Sequence, residues 1–62
     1  MTPKPGQILM IPINGEPQRM EVLGTTVSLL AGAEMVRFLH IANQSLILLP
    51  ISRVIREAKE AA

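Results

Sequence analysis

The chain has 62 residues, 48% of them hydrophobic and 2% aromatic, with no cysteine and a formal net charge of +1. A chain of this length holds one core, whose net contribution to stability rarely exceeds about 3–5 kcal/mol, and without cysteine neither a disulfide nor a thiolate metal site adds to it. Self-association is the expected further source of buried apolar area, and the absence of a basic field excludes strong non-specific binding of nucleic acid by one protomer. The acids are Glu16, Glu21, Glu34, Glu57 and Glu60, and the bases are Lys4, Lys59, Arg19, Arg37, Arg53 and Arg56. Residues 1–50 sum to zero, so residues 51–62 supply the whole charge. No apolar run approaches 18 residues and the start has no apolar signal core, so a cytoplasmic chain with no membrane span is expected.

Pro3, Pro5 and Gly6 predict an extended or disordered start over 1–6. Gln7 to Ile13 is β-rich, and Pro12, which has no N–H, places that strand at an edge or a bulge. Asn14-Gly15 then signals a tight hairpin. Arg19 to Leu23 alternates with Met20 and Val22 on one face, whereas Val27 and Leu29 occupy the opposite parity. Gly24 between them predicts a bulge or a break between two short strands. Ala31-Gly32-Ala33 reads as a turn and Glu34 to Ala42 as a strand whose inner face is open to two assignments, Val36/Phe38/His40 or Met35/Leu39/Ile41. Asn43-Gln44-Ser45 turns the chain into Leu46-Ile47-Leu48-Leu49, a run apolar on both faces. Two covers are implied for that run, one of them a partner protomer or the C-terminal helix. From Ile51 the period becomes helical, with Ile51, Val54, Ile55, Ala58 and Ala61 on one side. An amphipathic helix over 51–62 follows, entered from Pro50, with Ser52 as N-cap and Arg53/Glu57 and Arg56/Glu60 as i,i+4 pairs.

The chemistry available is small. His40 is the one imidazole, it lies mid-strand, and no Asp exists to orient it, so a hydrogen-bonded strand histidine is expected rather than a catalytic base. One His and five scattered Glu offer no metal-ligand spacing. The four glycines punctuate strands and form no phosphate-cradling motif. Phe38 alone could stack a base, leaving Arg37, Arg53 and Arg56 as candidate nucleic-acid contacts. Met10, Met20 and Met35 read as core. No enzyme, cofactor, metal site or small-molecule substrate is expected.

The order Gly6 to Ile11, Val22-Leu23-Gly24, Val36-Arg37, a short strand and an amphipathic helix resembles the carbon storage regulator family across residues 6–60. That resemblance implies a small intertwined β-dimer that binds messenger RNA. The family's arginine at the last strand–helix junction falls on Leu48 to Ile51, so Arg53 or Arg56 would have to supply that contact. The succession Gly6 to Ile11, Gly15/Glu16, Met20 to Leu23, Val36 to His40 and Leu46 to Leu49, closed by Pro50 to Val54, also resembles a small SH3-like barrel. Such barrels are usually protein-interaction or nucleic-acid-interaction modules, and this reading makes the chain an interaction module or a small subunit of a larger assembly.

Together these readings predict one mainly β domain over 1–62. They give a small antiparallel sheet or barrel of four to five strands, β-rich over 7–50, with one C-terminal helix, completed by oligomerisation. The expected function is that of a non-enzymatic regulatory or binding protein, a homodimer with an RNA or protein partner. Leu46, Ile47, Leu48, Leu49, Val54 and Ile55 are the candidate interface.

Overall fold

A computed structural model of the chain describes residues 3–28 and 32–61. Strands β1 (Ile8–Ile13) and β2 (Glu16–Ser28) are joined by Asn14-Gly15, whose φ angles are 52° and 83°. Two successive left-handed residues make the type I′ turn, whose twist matches that of the strands it joins, and only glycine adopts the second position without strain. The Val22 N–H donates to the Gln7 carbonyl at 2.9 Å, which sets the phase of the β1–β2 ladder. Odd residues of β1 therefore turn their backbone groups toward β2 and even residues turn theirs away. Pro12 stands opposite Pro17 at one of the positions facing away, so neither missing N–H breaks this ladder.

The ladder of β2 with β3 (Ala33–His40) slips by one residue between Val22, opposite Phe38, and Gly24, opposite Arg37. Leu23 is the extra residue of a bulge. Before it Met20 and Val22 point inward; after it Thr25 stands opposite buried Val36, so the inner face passes from even to odd positions. The bulge expected at Gly24 therefore lies inside one long strand, not between two. Residues 29–31 lie outside the described residues, and with them Leu29 and the first residue of the turn expected over 31–33. Strand β4 (Ser45–Pro50) follows β3, and the sheet order is β4-β3-β2-β1 with β5 (Lys59–Glu60) beside β1.

The core is the inner face of this sheet: Leu9, Ile11, Met20, Val22, Val36, Phe38 and Leu49, closed by Val54 from helix α1 (Ile51–Glu57). Val36 and Phe38 are fully buried, which assigns the inner face of β3. Met20 is core as expected, whereas Met10 and Met35 are half-buried.

Three local features differ from the sequence expectation. In the described part of the start Pro3 is buried, and a turn at Pro5-Gly6 brings the Gly6 N–H to the Val22 carbonyl at 2.8 Å. Pro50, not Ser52, is the N-cap of α1, and no side chain caps it. The helix ends at Glu57 instead of running to residue 62, because Ala58 is extended (φ −75°, ψ 141°) and the chain joins the sheet, where the Ala61 N–H donates to the Ile8 carbonyl at 3.2 Å. Seven residues are too few for helix propensity to hold alone, and the unfilled backbone groups of β1 draw the tail into a strand. Glu60 then lies away from Arg56, which pairs with Glu57 at 3.1 Å.

Candidate interaction surface

The two edges of the sheet are finished differently. On β1 the outward backbone groups belong to Ile8, Met10 and Pro12. Strand β5 takes the first two, with Met10 opposite Lys59 and Ala61 bonded to Ile8. Pro12 presents only a carbonyl, and an arginine can only donate; Nη2 of Arg53 reaches that carbonyl at 2.8 Å from α1. Nε of the same guanidinium lies 3.4 Å from Glu57, so both ends of this arginine are engaged. The new edge made by β5 is two residues long and carries exposed Lys59 and Glu60, a charged ending that discourages further pairing.

On the other side β4 has no such cover. The bond from the Ile41 N–H to the Arg19 carbonyl (3.3 Å) turns the odd residues of β3 toward β2 and the even ones toward β4. Phe38 and Val36 thus meet Ile47 and Leu49, while the backbone groups of Leu46 and Leu48 point out of the sheet. Among the described residues nothing lies beside them. The side chains of Leu46 and Leu48 are 74% and 54% exposed on the outer face, and a groove of about 300 Å³ runs there between Leu23, Arg37, Leu46 and Leu48. Arg37 stands in this apolar setting opposite Gly24 and Leu48, with no ion pair among the described residues.

The six expected interface residues therefore divide. Leu49 and Val54 belong to the core of their own chain, at 6% and 2% exposure, and Ile47 is half-buried against it. Leu46 and Leu48 stand bare on β4. Ile55 is exposed elsewhere, at an 80 Å³ notch formed with Pro3, Leu9 and Ala58. The run from Leu46 to Leu49 has one face covered, by the core and α1, and one face free.

The three candidate arginines also fail to converge. Arg37 is on the outer face of β3. Arg53 and Arg56 lie on the helix that crosses the inner face, one held by Pro12 and Glu57, the other exposed and paired with Glu57. Nε2 of His40 is 3.1 Å from Oε1 of Gln18 on the adjacent strand, a bond in which the ring N–H donates. Among the described residues no cluster of three potential metal ligands occurs, and no helix is long and apolar enough to cross a membrane.

No family model, curated protein or solved structure matches the chain. Two features were missed in the sequence, the open backbone of β4 and the closing role of Arg53. The first had a signal in a two-faced apolar run without a gatekeeping charge. The second had none, because the partner of Arg53 is a main-chain carbonyl 41 residues away.

Proposed function

We infer that this chain is a non-enzymatic protein-interaction module that docks through the free edge and outer face of β4. The observation that carries the reading is the contrast between the edges: one is closed by β5 and Arg53, while the other is an apolar strand with its backbone groups unpaired. Exposed edges of this kind are ordinarily blunted by charge, bulge or cover, and strand addition to such an edge is a recurrent mode of peptide and domain recognition. The strand order, with a helical turn between β4 and β5, supports an SH3-like architecture more than an intertwined β-dimer ending in a helix. A role as a small subunit or regulatory adaptor fits this surface. The RNA-binding alternative has weaker support, since the candidate arginines lie on different faces and Arg53 is already occupied.

Affinity capture from native cells tests the reading, with protein and nucleic acid both identified. Wild-type chain should retain a protein that is lost with Leu46→Lys plus Leu48→Lys and kept with Arg56→Ala. Salt-sensitive RNA lost with Arg56→Ala, and indifferent to the leucine pair, would overturn it.

A further inference from the structure

We propose that the free β4 edge pairs with β4 of a second copy of this chain, antiparallel about a two-fold axis at Ile47, joining two five-stranded sheets into one of ten strands. The inference rests on the reading of β4 as a docking edge and adds the partner and the register.

Three constraints lead to that register. Side chains alternate between faces, so the leucines of the outer face must meet outer-face residues of the other copy; this allows an axis at Ile47 or at Leu48 and forbids any axis between them. The backbone gives the same parity, because only Leu46 and Leu48 turn both N–H and C=O outward. With the axis at Ile47, Leu46 of each copy meets Leu48 of the other, and all eight outward groups of the four leucines find partners. With the axis at Leu48, Leu46 would face Pro50, which has no N–H, and the Leu46 carbonyl would stay unpaired.

Charge agrees with a second copy as the occupant. No Asp, Glu, Lys or Arg occurs from Phe38 to Ser52, so two β4 strands meet without burying a charge. The Ile47 axis also staggers the two Arg37 side chains, whereas the Leu48 axis would set them in one cross-strand row. The outer face then carries a joined patch of Leu46 and Leu48 from both copies over the two grooves. A standard interface takes about 800 Å² per partner, a fifth of the 4239 Å² surface of this chain. A single strand edge covers less than that, the size range of weak, reversible interfaces.

The chain has no cysteine, so single-cysteine variants report the register cleanly. At the axis the two Ile47 Cα atoms form a pair without mutual hydrogen bonds, about 4.5 Å apart, within reach of a disulfide. The two Leu48 Cα atoms are then roughly 9 Å apart, out of reach. Ile47→Cys should cross-link to a dimer on mild oxidation and Leu48→Cys should not. Preferential cross-linking through Leu48→Cys overturns the register. Because Ile47→Cys trims a half-buried side chain, wild-type chain provides the second arm: sedimentation equilibrium should show the mass rising from 6.8 kDa toward twice that value with concentration. A wild-type chain still at 6.8 kDa near 1 mM overturns the second-copy inference, even where native-cell capture shows that Leu46 and Leu48 hold another protein.

Discussion

Arg53→Ala should be the most damaging change available on the partly exposed surface of this chain. The substitution removes the 2.8 Å donor of the Pro12 carbonyl and the 3.4 Å contact with Glu57. Hydrogen bonds to charged groups are worth about 1.5–3 kcal/mol, and an exposed i,i+4 pair about 0.3–0.5 kcal/mol. The Arg53 side chain is 33% exposed, so water replaces part of the lost bond. A net cost of about 1–2 kcal/mol remains, a large share of the stability of a core of this size, which rarely exceeds ~3–5 kcal/mol. For a chain near 60 residues that corresponds to a fall in Tm of about 8–15 °C, read by circular dichroism during a thermal melt. Two controls separate the contributions. Glu57→Gln removes the ion pairs with Arg53 and Arg56 and leaves the bond to Pro12, and should cost only a few tenths of a kcal/mol. Arg56→Ala, at a side chain 69% exposed, should stay within about 0.5 kcal/mol. If Arg53→Ala melts with the wild type, or if Glu57→Gln costs as much as Arg53→Ala, the guanidinium does not close the β1 edge as described.

Phe38→Ala empties the largest fully buried side chain and costs about 3–5 kcal/mol, enough to unfold the chain; a far-ultraviolet spectrum at 25 °C should show loss of the strand signal. Gly15→Ala places a Cβ on a residue at φ 83° and should cost about 1–2 kcal/mol in a urea melt without changing oligomeric state. Deletion of residues 59–62 leaves Ile8 and Met10 with unpaired backbone groups, giving the sheet a second open edge. Sedimentation should then detect species larger than a dimer, which Leu46→Lys plus Leu48→Lys should suppress. His40→Ala should leave the fold intact and cost about 1 kcal/mol or less in the same melt, since its bond is to the single side chain of Gln18.

Local chemistry made several of these features legible in advance. Asn14-Gly15 can hardly do anything but turn, the parity change across Gly24 demands an extra residue, and Pro12 cannot sit inside a two-sided ladder. Each is a constraint that a few neighbouring residues impose on one another. The tail is different. Ala58-Lys59-Glu60-Ala61 consists of good helix formers, and helix was the natural expectation; the structure makes it a strand because β1 offers backbone partners that no local pattern reveals. The same long range hides the role of Arg53, which as a residue type suggested a nucleic-acid contact. For Leu46 to Leu49 the sequence showed excess apolar surface but not its division. The register with β3 puts Leu49 into the core and leaves Leu46 and Leu48 bare. That division turns a stretch expected to be wholly interface into part core and part exposed surface.

The backbone of β4 offers the most direct test of that surface. Amide hydrogen exchange in dilute wild-type chain should show Leu46 and Leu48 exchanging freely, while Ile47 and Leu49, turned toward β3, are protected. Raising the concentration should then slow exchange at Leu46 and Leu48 selectively. Protection of these two amides in the dilute monomer, or free exchange at every concentration and with every captured partner, would contradict an edge left open for docking.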